Sequence, residues 1–444
     1  MKISNVVLRN FRKYDHERFN FNSRFTVLIG DNGTGKTTIL DALSTMISTY
    51  FQGSKIQIGR SGIKKDDARL VVIKKAEQVF LEPQKEVYLT AEGLLNGRPI
   101  TWRRDMGDRG GKAKELVREG ADQRKRISEG ESPNLPVLLY YGAGRLWDVH
   151  RAVKTGKPGS QLDAYRFCLD PKSDQKAFEK WLKKLSYTEL QKKKTIPALQ
   201  TVKEAVLGIV PNARDFYHDT DEDQIMIDLE REGLMPFNCL SDGFRNMVAM
   251  AADIAYRASL LNPHYGLNVA RETTGIVLID EIDLHLHPKW QRRVVHDLKA
   301  TFPAMQFVST THSPFILQSL EAGEVIDLNQ SHDIETVAGS PDGIAAPGPA
   351  NPFSDRSIED IVEDVMGLPI PQRSQRYQDM YEAAKQYYSL LQEAVDADAD
   401  RKQELKGRLD ALSAPFSDNV AYHAFLEMKK IAAGLGDAPA EGDE

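Results

Sequence analysis

Three observations predict an α/β fold built on a parallel sheet. Arg24-Phe25-Thr26-Val27-Leu28-Ile29 leads into the glycine-rich stretch 30–37, and Thr38-Ile39-Leu40-Asp41-Ala42-Leu43 continues as a helical pattern. Ile276-Val277-Leu278-Ile279 is a continuous apolar run, the pattern of a strand buried on both faces, and Asp280-Glu281 follow at its end. Residues 241–320 then read helix, strand, helix, strand, helix, the alternation that builds parallel sheets.

The other elements follow in chain order. Met1–Arg9 alternates like a strand and lacks the apolar centre of a secretion signal. A β meander is expected over 67–105, from the short apolar runs 71–73, 79–81 and 87–89 and a hairpin signal at Gly97-Arg98. Residues 106–133 are rich in Gly, Lys, Arg and Glu, and predict a solvated or disordered charged insertion. Leu135–Tyr140 resumes the buried sheet. A helical insertion is expected over 150–215, where Phe178, Trp181, Leu182 and Leu185 recur at helical spacing and read as core. Ile225–Leu229 reads as a strand before a turn at Gly233. The main domain therefore spans 1–330, a Gly/Pro-rich linker 331–352, and a helical C-terminal region 353–444 that ends in an acidic tail.

Composition narrows the class. A net charge of −6 over 444 residues argues against a protein that coats nucleic acid, while leaving room for a local basic groove. The two cysteines, Cys168 and Cys239, form no CxxC pair; they fit a reducing, cytoplasmic setting and supply no zinc site. No apolar run is long enough to span a membrane, so no membrane partner is expected.

The chemistry lies in four motifs. Gly30-Asp31-Asn32-Gly33-Thr34-Gly35-Lys36-Thr37 fits G-x-x-x-x-G-K-[ST], whose backbone amides wrap nucleotide phosphates at a helix N-terminus. Lys36 would reach the β- and γ-phosphates and Thr37 would hold Mg²⁺, with Thr38 next in the helix. Asp280 would hold the ion's water shell and Glu281 would polarise the attacking water. Leu240-Ser241-Asp242-Gly243 opens an amphipathic helix; Ser241 reads as its N-cap, and with the Gly243 amide as a second anion site. His312 ends the strand Phe307–Thr311, beside the expected γ-phosphate.

This order of motifs resembles the ABC-type ATPases, within them the RecF/SMC and OLD group. Leu8-Arg9-Asn10-Phe11-Arg12-Lys13-Tyr14 and Asp280-Glu281-Ile282-Asp283-Leu284-His285-Leu286-His287-Pro288 carry the resemblance. It implies an ABC-type P-loop fold that binds ATP and Mg²⁺. It also implies that Ser241, Asp242 and Gly243 act in trans on nucleotide held by a second subunit, that His312 is the switch histidine, and that Phe11 and Arg12 lie near the base. Tyr140–Arg145 occupies the Q-loop region without a glutamine, and Asp242 stands where transporters have glycine. Heptads and Toprim-like strands are missing, so hydrolysis without a nuclease domain of its own is expected.

Tyr140–Trp147, Leu240–Arg257, Gly275–Gln291, Ser309–Leu320 and Ser357–Ile361 further resemble the PtuA family, ATPases of Septu anti-phage systems also found with some retrons. That resemblance implies a homo-oligomer and a separately encoded HNH nuclease. The alternative is a RecF-like repair ATPase acting on gapped or single-stranded DNA. The lysines at 180, 183, 184 and 192–194 read as a solvated helical face in preference to a DNA or RNA groove.

Overall fold

The computed structural model describes residues 1–75, 78–107, 112–144, 160–171, 175–329, 353–366, 375–395, 398–432 and 435. The chain opens with an antiparallel pair, β1 (Lys2–Phe11) and β2 (Tyr14–Asn20). The wholly buried β3 (Phe25–Ile29) leads through the glycine loop into α1 (Lys36–Ser48). Two hairpins follow: β4 (Leu70–Lys75) with β5 (Gln78–Pro83), and β6 (Tyr88–Leu95) with β7 (Arg98–Asp105). Next come α2 (Lys114–Ser128), β8 (Val137–Tyr141), α3 (Gln175–Lys192) and α4 (Pro197–Ile209). A small antiparallel sheet is made by β9 (Ala213–Asp219), β10 (Gln224–Leu229) and β11 (Gly233–Pro236). Then follow α5 (Asp242–Leu261), α6 (Val269–Glu272), β12 (Gly275–Ile279), α7 (Pro288–Thr301), β13 (Met305–Thr310), the single-turn α8 (Pro314–Leu317) and β14 (Val325–Asp327).

The central sheet has the order β14-β3-β13-β12-β8 and is parallel throughout. One strand, β13, separates the glycine-loop strand β3 from β12, which ends in the two carboxylates. A parallel sheet gathers the C-terminal ends of its strands on one edge, and ligands of such sheets bind there. The second sheet has the order β2-β1-β6-β7. Gln306 of β13 is fully buried and joins the two sheets: its amide donates to Ile3 O (2.7 Å) and accepts from Ile3 N (2.8 Å). Trp102 of β7, also buried, donates its indole N–H to Met46 O on α1 (3.1 Å). Helix α1 is thus held to the second sheet, while Ile39, Leu40 and Leu43 are buried along it.

Several expectations need correction. The meander is two separate hairpins, because β6 pairs with β1 and not with β5. The charged insertion carries an ordered helix, α2, with Leu116, Gly120 and Gln123 buried; Gln123 accepts from the Tyr50 hydroxyl. The helical insertion holds α3 and α4, but 213–215 already belongs to β9, and 145–159 and 172–174 lie outside the described residues. Phe178 is buried and, with the half-buried Trp181, packs against Tyr256 of α5 (centroids 5.8 and 4.7 Å). The linker 331–352 and the tail 436–444 also lie outside the described residues.

The chain divides into compact units Met1–Ile361 and Val362–Glu444. The division falls inside the region expected to be one helical block. Gln318 explains part of this, since its amide donates to Arg356 O (3.0 Å) just before α9 (Ile358–Met366). The second unit carries α10 (Gln375–Val395), α11 (Ala399–Ser413) and α12 (Val420–Ala432), packed round Tyr387, Leu390, Leu405, Leu409 and Leu426. No helix among the described residues is long and apolar enough to cross a membrane.

Candidate nucleotide-binding site

The loop between β3 and α1 is shaped by its glycines. Gly30, Gly33 and Gly35 have φ of 141°, 85° and 95°, a region that L side chains rarely adopt. Gly35 is also crowded: a Cβ there would lie 2.6 Å from the Tyr14 hydroxyl. Thr34 Oγ1 donates to Asp31 O (2.8 Å), closing the turn. Lys36 Nζ donates to Gly30 O (2.7 Å) and Asp31 O (3.0 Å), which stands the ammonium inside the curve of the loop. Burial lowers the Lys36 pKa, against the opposing pull of Asp31, Asp280 and Glu281. Lys13 Nζ (2.6 Å) and Tyr14 Oη (2.8 Å) both donate to Thr34 O, so the β1–β2 turn grips the loop from outside. Asp31 and Asn32 are exposed, and Thr38 is half-buried in the first turn of α1.

The carboxylates of β12 meet this loop. Thr37 Oγ1 donates to Asp280 at 3.1 and 3.3 Å. Thr310, at the end of β13, donates to Asp280 Oδ1 (2.7 Å), and its Oγ1 also accepts from the backbone N–H of Glu281 (2.7 Å). One threonine therefore fixes both acids. Thr37 Oγ1 and the Asp280 carboxylate are hard oxygen donors within hydrogen-bond reach of each other, the donor type that suits Mg²⁺. Glu281 has φ +50°, a left-handed conformation costing about 1 kcal/mol for a non-glycine residue. His312 is exposed two residues past β13.

Beside α1 lies an ion-pair quartet. Arg12 pairs with Asp41 (2.6 Å) and Asp67 (3.0 Å), and Arg60 with the same two acids (3.3 and 2.7 Å). Burial would raise the Asp67 pKa, but hydrogen bonds from Lys64 N–H and Arg60 outweigh it and hold the carboxyl below its usual range. Arg12 is thus engaged by carboxylates at the edge of the loop. Phe11 needs correction: it is 0% exposed, bridged to Ala68, and its ring belongs to the core rather than to a base contact.

Ser241 occupies the N-cap position of α5, but its side chain makes no capping bond; only its carbonyl accepts from Arg245 N–H (2.9 Å). Gly243 is buried against the loop that follows Glu281, where a Cβ would sit 2.4 Å from His285 O. Asn246 donates to Leu284 O (3.2 Å) in the same loop. Gln291 of α7 donates to Leu286 O (2.8 Å) and accepts from the Ser313 hydroxyl (2.7 Å). Helix α5, the carboxylate loop and the segment around His312 are therefore one connected assembly. Within this chain Gly243 and Asn246 meet that loop, and the phosphate loop is gripped by other residues.

Sequence reasoning missed Thr310, the Lys13/Tyr14 grip and the Arg60–Asp67 half of the quartet. A threonine in a strand looks like a β-former, and long-range ion pairs leave no local pattern.

Comparison with known proteins bears on the family. Two models of AAA domains match, one over residues 5–207 and one, described as "AAA domain, putative AbiEii toxin, Type IV TA system", over 114–318. The chain is 25% identical to the retron Vc95 probable ATPase of Vibrio cholerae over 74% of each chain. It is also 25% identical to the Septu protein PtuA of Bacillus thuringiensis, over 79% of this chain and 80% of that one. Over about three quarters of its length the chain is thus similar to proteins named Septu PtuA and retron ATPase. The retron Ec83 probable ATPase of Escherichia coli matches at 25% identity over 73% of this chain and 71% of its own.

Proposed function

We propose that this chain binds and hydrolyses MgATP at composite sites between head-to-tail subunits. We assign it further as the regulatory ATPase of a PtuA-like, cytoplasmic anti-phage complex that licenses a separate HNH nuclease. The observation that carries the ATPase reading is the meeting of Thr37, Asp280 and Thr310 at the end of a parallel sheet, with Lys36 in the adjoining loop. The relatives named Septu PtuA and retron ATPase support the defence assignment.

The residues divide the work. The amides of Gly33 to Lys36 at the start of α1 would cradle phosphate oxygens, and Lys36 Nζ would leave the loop carbonyls to meet the β- and γ-phosphates. Thr37 and Asp280 would hold Mg²⁺, which when bound neutralises charge on the phosphates. Glu281, with its backbone fixed by Thr310, would orient the attacking water, and His312 would face the γ-phosphate. Ser241 and the Gly243 amide would complete the site from a second subunit. Their loss of contact after hydrolysis would report nucleotide state to the assembly.

Phosphate release from ATP tests the assignment. Glu281→Gln should lower turnover about a hundredfold while ATP still binds. Undiminished turnover would remove Glu281 as the water-positioning group.

A further inference from the structure

A cleft of about 560 Å³ opens beside the start of α5, between Pro211-Asn212, the β10–β11 turn and the first turns of α7. Its floor is aromatic. Trp290 meets Phe244 edge to face at 4.2 Å, and His287 at 6.2 Å. His287 caps α7 by accepting Lys289 N–H at Nδ1 (3.2 Å), which leaves its other nitrogen as the proton carrier of the neutral ring. Three exposed cations line the walls, Arg231, Lys289 and Arg293, against one acid, Glu232. Arg293 also pairs along its own helix with Asp297 (3.4 Å). Neither Arg231 nor Lys289 has an ion pair among the described residues. In a chain of net charge −6, this is a concentrated positive site with a stacking surface inside it.

The geometry points to a binding site for single-stranded nucleic acid, with one unstacked base on Trp290 and flanking phosphates on Arg231, Lys289 and Arg293. The chemistry favours this occupant over the others. A base has a π-face for the half-buried indole whatever its sequence, and a polyanionic backbone supplies a phosphate for each cation. A duplex keeps its bases stacked and offers the cleft phosphates alone. An acidic peptide offers carboxylates and nothing planar for Trp290. The site is not remote from the candidate nucleotide site: Gln291, next to Trp290, bonds the loop that runs from Glu281 to His287.

Anisotropy of a fluorescein-labelled 20-nucleotide oligo(dT) strand, read with saturating MgATP present, tests the site. Three phosphate contacts predict that log affinity falls with log salt at a slope of about −2. Arg231→Glu combined with Lys289→Glu should weaken the strand at least about tenfold while ATP turnover holds. Trp290→Leu should weaken it about fivefold or more, and Trp290→Phe, which keeps an aromatic face, should retain most of the affinity. The proposal falls if the double variant binds the strand like the wild type, if the wild type does not bind it, or if the duplex binds as tightly as the strand. Poly-glutamate bound through Arg231 and Lys289 without any strand binding would overturn it in favour of an acidic protein partner.

Discussion

The phosphate loop and the start of α5 are built to opposite plans. At Gly30–Thr37 the side chains of Lys36, Thr37 and Thr34 and the Thr34 carbonyl have partners in the same chain: Lys36 on two carbonyls, Thr37 on Asp280, Thr34 on Asp31, and Thr34 O under Lys13 and Tyr14. At Ser241 the hydroxyl of an N-cap serine makes no capping bond, although serine is strongly preferred there for making one. Gly243 meanwhile is pressed against His285 O. The loop is held within the chain, whereas the start of α5 holds its backbone in place and leaves a hydroxyl at the surface. That asymmetry is what the proposed composite site would require of a single subunit.

Substitutions can break the comparison in order of expected effect. Gly243→Ala should be the most damaging. Its Cβ would displace the His285 carbonyl and with it the loop after Glu281, lowering turnover about a hundredfold while ATP binding at the loop survives. Turnover within twofold of wild type would mean that the helix and carboxylate loop are not coupled. Thr310→Val should cost about tenfold in turnover and raise the Mg²⁺ concentration needed for half-maximal rate, since it frees both Asp280 and the Glu281 backbone.

Asp67→Asn should have little effect on chemistry and a moderate one on stability, about 2 kcal/mol, because it leaves Arg60 and Arg12 without one of their two acids. The pH dependence has a definite sign. The folded-state pKa of Asp67 is lowered, so its contribution is fully present above the unfolded value near 4 and is lost as pH falls through the lower folded value. Denaturant midpoints of wild type and Asp67→Asn should therefore begin to converge as pH falls below about 4 and meet only below the lower folded value.

Much of this was legible in the sequence for a physical reason. Strands such as β3 and β12 are buried on both faces, so they print as unbroken apolar runs, and a phosphate loop needs glycines at fixed positions. What escaped depended on partners. Helix α2 buries Leu116, Gly120 and Gln123, a stripe in which only one residue is apolar. Nothing in residues 67–105 says that β6 will choose β1. Phe11 followed the family's motif but ends in the core, because β1 is covered where the β4 entry segment crosses it at Ala68.

In the proposed dimer each site takes its phosphate loop from one subunit and its serine from another. Co-expressed Lys36→Ala and Ser241→Ala chains test it most directly, by the rate of phosphate release from purified mixed assemblies. Each variant alone should be inactive. A mixed dimer regenerates one site with both Lys36 and Ser241 intact, so random pairing should restore about a quarter of wild-type turnover. Turnover no higher than that of either variant alone would contradict the composite site.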